Sequence, residues 1–369
     1  MMGPIVEPAR GKLRTALTSL AEGESWLVAP RSLDESDRLW SPGVRDGVAA
    51  GSEFHLTEYF GPVLGIMRAD TLEQAIALQN APAYGLTAGI HSLDAAEIEL
   101  WVETVQAGNL SVNRGITGAV VRRQPFGGWK RSTVGASAKA GGPNYLLTLG
   151  GWRPVFAEPG RTVVLEGLSE KVSSVIEAAQ QGMEFLEFDR VRAGAESDQR
   201  AWADEYGTAR DVSGLGVERN LLRYRSVPVT VRLAEGASPA QLVRTIAAAT
   251  RAGASLSISS ALPMAAGLLR LVGSAVPPLD IEAVVVETDA RWHARLQAGF
   301  RPGRIRLLGG DRLALAIALD GDPDVAIYAG PVTTSGRIEL LPFLHEQAIS
   351  MTAHRFGNPD PTLGNPLRP

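Results

Sequence analysis

From Val63 to Asn113 the sequence alternates short apolar runs with capped amphipathic stretches, and this alternation limits the possible folds most tightly. Val63–Met67 is an apolar run of strand length. Asp70 then precedes Thr71-Leu72-Glu73, a cap followed by an acidic first turn. Leu72, Ala75, Ile76 and Leu78 give the next stretch an apolar face, Gly85 ends it, and Thr87–His91 reads as a strand. Asp94 repeats the cap with Glu97 after it, and Ile98, Trp101, Val102 and Val105 share one helical face. Gly108 stops that helix before a third strand, Leu110–Asn113. The order is βαβαβ, which predicts an α/β fold with parallel strands joined by right-handed crossovers.

The flanks are less regular. Gly11–Leu20 suits a short helix, and Ser25–Ala29 and Gly43–Val48 suit strands. Gly115–Pro143 is glycine-rich and too long for an ordinary connection; loops of that length in compact domains are usually functional. Tyr145–Leu149 and Arg153–Phe156 look extended, Thr162–Gln180 helical, and Ala195–Gly214 polar and poorly periodic. Alternation resumes from Asn220. Strands are predicted at Leu222–Arg225, Val227–Leu233, Leu256–Ser259, Ala283–Glu287, Ile305–Leu308 and Val325–Tyr328. The clearest helix is Ser238–Arg251, with Ser238 as N-cap and Pro239 at the first helical position. The expected division is 1–157, then a second Rossmann-like α/β domain over 158–353, then a mobile tail over 354–369 rich in Pro, Gly and Asn.

Composition narrows the function. The 369 residues carry a net charge of −4, which argues against nucleic acid or an anionic membrane as the main partner. There is no cysteine, which excludes disulfides, thiolate metal sites and a cysteine nucleophile together. The five histidines, His55, His91, His293, His345 and His354, have no ligand spacing, so no metal site is proposed. No apolar stretch approaches the ~20 residues of a membrane span. The start lacks the basic-then-apolar order of a signal peptide, so a cytoplasmic location is expected.

The segments EYFGPVLGI, AGNLSVNRGITGAVVRRQPFGGWKRS and AKAGGPNYL resemble, in order, the C-terminal part of the aldehyde dehydrogenase superfamily. The Thr117-Gly118-Ala119 turn before Gln124-Pro125-Phe126-Gly127-Gly128 is similar to the glutamate-γ-semialdehyde (pyrroline-5-carboxylate) dehydrogenase branch. In the second half, ERNLLRYR and GRIELLPFLHEQAISMTAH resemble the C-terminal extension of bifunctional proline-catabolic enzymes of the proline utilization A type. The resemblance implies NAD as cofactor and an aldehyde substrate in the intact enzyme. It implies an attacking cysteine, a general-base glutamate, an oxyanion-holding asparagine and a dinucleotide-binding domain, all upstream of the matching region. No catalytic residue is therefore assigned here, and the chain alone is expected to be inactive and not to hold NAD by itself. An oligomer, or a complementing N-terminal half, is the expected partner.

The resemblance places Glu58 on the nicotinamide ribose, whose diol offers two donors to a carboxylate, and Phe60 at the nicotinamide end. The plain alternative for Glu58 is a surface residue before a strand. Gly118 and Ala119 are implied to bind the substrate's α-carboxylate through backbone N–H groups, where small residues let an anion approach. A flexible turn is the alternative. Phe126 would pack on the aliphatic part of the substrate, or simply be core. Arg122, Arg123, Lys130 and Arg131 read either as attraction for a dicarboxylic product or, preferably, as a solvated surface or subunit contact. Asn113 is expected to bond nearby backbone at a strand end. GLGVER (214–219) is an incomplete dinucleotide motif. LLGGDR (307–312) could hold an anion at a helix start, but an ordinary strand-to-helix turn is preferred. A rival reading treats the second half as a structural or assembly module that covers an active site or joins subunits, with Tyr145–Phe156 pairing between subunits. A minor one makes it a nucleotide-binding protein.

Overall fold

The computed structural model describes residues 3–153, 167–272, 279–356 and 358–359. Two short helices, α1 (Gly11–Thr18) and α2 (Glu53–Leu56), flank a three-stranded sheet of β1 (Ser25–Val28), β2 (Gly43–Asp46) and β3 (Val63–Ile66). β1 and β2 are antiparallel, β2 and β3 parallel. Arg45 faces inward from β2, where its guanidinium pairs with Glu24 at 2.6 Å and lies 4.0 Å from the Phe54 ring. The opposite row, Val28–Val44–Leu64, is apolar and only partly covered; Val28 and Leu64 are 50% and 59% exposed.

The chain continues through α3 (Leu72–Asn80), β4 (Tyr84–Gly85), β5 (Thr87–Ile90), α4 (Ala95–Thr104), β6 (Asn109–Val112) and β7 (Trp129–Lys130). The cap of α3 is Thr71, not Asp70: the Thr71 side chain accepts from Gln74 N–H. Asp94 caps α4 as expected, accepting from Ala96 and Glu97 N–H. The predicted βαβαβ is divided between sheets. β3 stays with β1 and β2, while β5 and β6 pair in parallel in a second sheet. Tyr145–Leu149 is a 3-10 turn rather than an extended segment, and 154–156 lie outside the described residues.

After α5 (Glu170–Ala179), helix α6 (Phe185–Ala201) runs into a π-helical turn, Trp202–Tyr206, where the sequence looked irregular. The expected helical start at 162–166 lies outside the described residues. The α6 surface facing the core adds to Val191 the small and polar residues Gly194, Ala195 and Asp198, so it carries little apolar periodicity. Asp198 receives a two-pronged ion pair from buried Arg244, at 2.6 and 2.7 Å.

The remaining elements are β8 (Arg210–Asp211), β9 (Glu218–Ser226), β10 (Val229–Leu233), α7 (Pro239–Ala252), β11 (Leu256–Ser260), α8 (Ala266–Val272), β12 (Ile281–Val286), α9 (Asp289–Gln297), β13 (Arg304–Leu308), α10 (Arg312–Ala318), β14 (Ala326–Tyr328), α11 (Gly336–Glu339) and β15 (Leu344–Thr352). Five of these strands form an all-parallel sheet in the order β12-β11-β10-β13-β14, the Rossmann-like arrangement predicted for the second half. β16 (His354–Arg355) and β17 (Asn358–Pro359) pair at the start of the expected tail; 360–369 lie outside the described residues.

β9 and β15 do not join that sheet. They complete the sheet of the first half, in the order β5-β6-β15-β9-β8, with β15 parallel to β6 and antiparallel to β9. The division at 157/158 therefore separates sequence stretches that share one sheet. Leu221, Ile349 and Met351 are buried in one cluster with Trp101, Val102, Leu110 and Val112. Each such side chain contributes about 1.5–3 kcal/mol on burial, so the join is a core and not a surface contact. Among the described residues, no helix is long and apolar enough to cross a membrane.

Candidate functional site

The loop after β6 carries the Gly118 turn. It is closed at its base by paired backbone bonds between Val120 and Gln124, Val120 N–H to Gln124 C=O at 3.1 Å and Gln124 N–H to Val120 C=O at 2.7 Å. Gly118 has φ +129°, a conformation that favours glycine. Among the described residues, the N–H groups of Thr117, Gly118 and Ala119 donate to no acceptor. Gly118 and Ala119 are exposed. Three free donors on a small-residue turn can receive an anion. Beneath the turn lies a pocket of about 20 Å³ lined in part by Thr117, Gly118, Arg114 and Gln124. Phe126 is partly buried and its backbone bridges Ala140 in both directions, which fixes the far end of the loop.

Glu58 and Phe60 lie between α2 and β3, and both are exposed, Phe60 by 86%. Phe60 has φ +52°, and the Glu58 carbonyl accepts from Lys12 Nζ at 2.6 Å. These two residues share one loop, and Gly118, Ala119 and Phe126 share another. The basic residues do not act as a cluster. Lys130 Nζ donates to the carbonyls of Asn80 and Pro82, Arg131 pairs with Asp324, and Arg123 reaches Glu218 at 4.0 Å. Asn113 bonds both backbone groups of Ser92, as expected of a strand-end residue.

Sequence reading missed a cleft of about 1070 Å³ between the two halves, lined by Trp129, Lys139, Tyr224, Arg304, Tyr328 and His345 among others. Its wall is a buried polar network. Glu346 accepts the Lys139 backbone N–H at 2.6 Å and Asn144 Nδ2 at 2.9 Å; Asn144 Nδ2 also donates to Tyr224 Oη at 2.9 Å. Lys139 Nζ donates to Asn109 Oδ1 at 3.0 Å. Burial dominates the titration of all three groups. It pulls the Lys139 amine down to about 7 against the attraction of Glu346, raises the Glu346 carboxyl, and, with the cations of Arg304 and Lys139, pushes His345 down to about 2. The signal in the sequence was AKAGGPNYL and LPFLHEQ, two motifs 200 residues apart whose proximity only the sheet reveals.

A dinucleotide would be sought where the parallel sheet changes winding direction, between β10 and β13. There the two strand-to-helix turns pack closely. A Cβ on Gly309 would stand 2.9 Å from Ala237 Cβ, and one on Gly310 2.8 Å from Ala234 Cβ. The N-terminus of α7 is taken by Ser238, whose hydroxyl accepts Ala240 N–H and donates to Glu187 Oε1 at 2.6 Å. Asp311 caps α10, accepting Leu313 N–H at 2.7 Å. The chain's own carboxylates stand where a phosphate would bind. LLGGDR is the ordinary turn, and GLGVER leads into β9 rather than into a helix.

Residues 1–149 match the profile of the aldehyde dehydrogenase family. Its similarity is to the 1-pyrroline-5-carboxylate dehydrogenase type. The enzyme of that name from Bacillus cytotoxicus is 37% identical over 146 residues, 39% of this chain and 28% of the relative; that from Bacillus thuringiensis is 36% identical over the same shares. The structure of proline utilization A from Corynebacterium freiburgense covers 97% of this chain with TM-score 0.75 and 40% identity, including the second half. The chain spans 28% of the curated relatives' length and 32% of that structure.

Proposed function

We propose that this chain is the C-terminal portion of an NAD-dependent L-glutamate γ-semialdehyde dehydrogenase, supplying the substrate-carboxylate loop and the nicotinamide-ribose contact. The observation that carries the reading is the Thr117–Ala119 turn with its three uncommitted N–H donors, held within a family-matching span. Gly118 and Ala119 would bind the α-carboxylate, Phe126 would pack on the methylene chain, and Glu58 and Phe60 would meet the nicotinamide end of NAD. When bound, NAD would accept hydride from the substrate. The residues here would only orient its nicotinamide ribose, and the rest of its cradle would come from elsewhere. Without a cysteine this chain forms no thioester. The purified chain is expected to show no NAD-dependent oxidation of the semialdehyde, and turnover to appear when the thiol-bearing N-terminal half of a homologue is added. Turnover by the chain alone, or none from the mixture although the halves associate, would defeat the reading.

A second reading is favoured by the side-chain caps on the helix starts along the parallel sheet and by the insertion of β9 and β15 into the first half's sheet. The second half then acts as a non-catalytic assembly module. A cytoplasmic location accords with either reading.

A further inference from the structure

The substrate loop is held from the second half of the chain by one buried amide. Gln124 and Asn220 are 7% and 2% exposed, and Gln124 Nε2 donates to Asn220 Oδ1 at 3.0 Å. Asn220 Oδ1 also accepts from Ser350 Oγ at 3.1 Å, while its Nδ2 donates to Ser213 Oγ at 3.2 Å and Glu218 Oε2 at 3.1 Å. Its backbone N–H donates to Asp211 Oδ2 at 3.0 Å. An amide has two acceptor sites and two donor hydrogens, and here all four are used. Turning it over would set its oxygen against the Glu218 carboxylate, which only accepts, so its orientation is fixed. That fixes Gln124 in turn: with its NH2 committed to Asn220, its oxygen faces Gly118, 3.3 Å from where a Cβ there would stand. A second tether runs from the same strand. Glu218 Oε2 lies 3.6 Å from Arg114 Nη1 and 4.0 Å from Arg123 Nε, one arginine at each end of the loop.

We infer that Asn220, acting through Gln124, is a positioning residue for the Thr117–Val121 turn, and hence for the substrate carboxylate. The last step rests on the function proposed above. The second half therefore acts on the chemistry of the first by holding this turn in shape, without contributing a group that touches substrate.

The test is amide hydrogen exchange and 15N NMR on the full chain, with L-glutamate as the carboxylate probe. Asn220→Ala is expected to speed exchange at Val120 and Gln124 about tenfold, the loss of roughly one buried hydrogen bond, while β10 amides keep their rates. Gln124→Glu is isosteric. At pH 8 its carboxylate faces Asn220 Oδ1 and the turn should loosen equally; at pH 5, once protonated, it donates again and protection should return after correction for intrinsic rates. Unchanged exchange at Val120 and Gln124 in Gln124→Glu overturns the inference, and that variant decides if Asn220→Ala fails to fold. Glutamate separates the two readings. Shifts of the Gly118 and Ala119 resonances in the parent chain, weakened about tenfold in affinity by either substitution, support both. A loosened turn in the variants with no glutamate shift in the parent keeps the positioning role and removes the carboxylate reading.

Discussion

Gln347 shows how single polar side chains hold the two halves together. From the middle of β15 its Nε2 donates to the Ala107 carbonyl at 2.9 Å, and its Oε1 accepts from Arg223 Nε at 2.9 Å. Arg223 goes on to the Val102 carbonyl at 2.7 Å and to Glu103. Gln347→Leu keeps the volume but leaves a guanidinium N–H and a carbonyl unpaired inside. It is expected to cost about 2–3 kcal/mol in urea unfolding, well beyond a surface glutamine change. Lys139 adds a pH dependence. Its folded pKa is about 7 and the unfolded value is 10.5. Between these values the unfolded chain holds a proton that the folded chain lacks, so stability rises with pH from about 7 upward; below 7 the burial penalty is fully present. Thermal melts should move to higher temperature between pH 7 and 9, and Lys139→Met should flatten that slope. Residues of this kind were not legible in the sequence. Gln347 and Lys139 look like ordinary surface residues until strands far apart in sequence bury them. The turn at Gly118 was legible as a turn, and the structure gives that glycine a φ of +129°; its substrate role is the proposal made above.

At the scale of elements, what could be read followed local chemistry. α4 and α7 were found from Asp94 and Ser238, whose side chains do cap as expected. The strands of the parallel sheet are legible because apolar residues recur at every second position, as in Val229, Val231 and Leu233 or Leu256 and Ile258. β15 was missed for the opposite reason. Its sequence LHEQAISMT places Glu346 and Gln347 inside, where partners from the first half satisfy them, so it has neither an apolar run nor a clean alternation. Its burial makes it sensitive. The Ala348 N–H donates to the Gly108 carbonyl at 2.9 Å within a strand paired on both sides. Ala348→Pro should lower the unfolding free energy by about 3 kcal/mol or more, whereas Leu313→Pro would test only the exposed first turn of α10. α6 is hard to read because, apart from Val191, the residues it buries are Gly194, Ala195 and Asp198, which leave only a narrow apolar stripe.

For the whole molecule, the sheet β5-β6-β15-β9-β8 makes the linear division at 157 a poor guide to folding units. Residues 1–157 alone would leave β6 with one side unpaired and Trp101, Val102 and Leu110 facing water. That fragment is expected to aggregate, and co-expression with 158–369 should return a complex that co-elutes and melts in one transition. Independent cooperative melts of the two fragments would contradict the shared sheet. The partly uncovered row Val28–Val44–Leu64 is where the thiol-bearing half would seat on the proposed function, by extending apolar cover over β1, β2 and β3.

The insertion of β15 also has a consequence for how the protein is made. Its strand lies next to β6 in space but some 230 residues later along the chain, so during synthesis the β6 edge emerges from the ribosome long before its neighbour exists. For that interval the nascent chain carries an open, apolar strand edge, the kind that pairs with the wrong partner. Yield in a cell should therefore depend on chaperone capacity and on translation speed through the second half, more than on the stability of the finished fold.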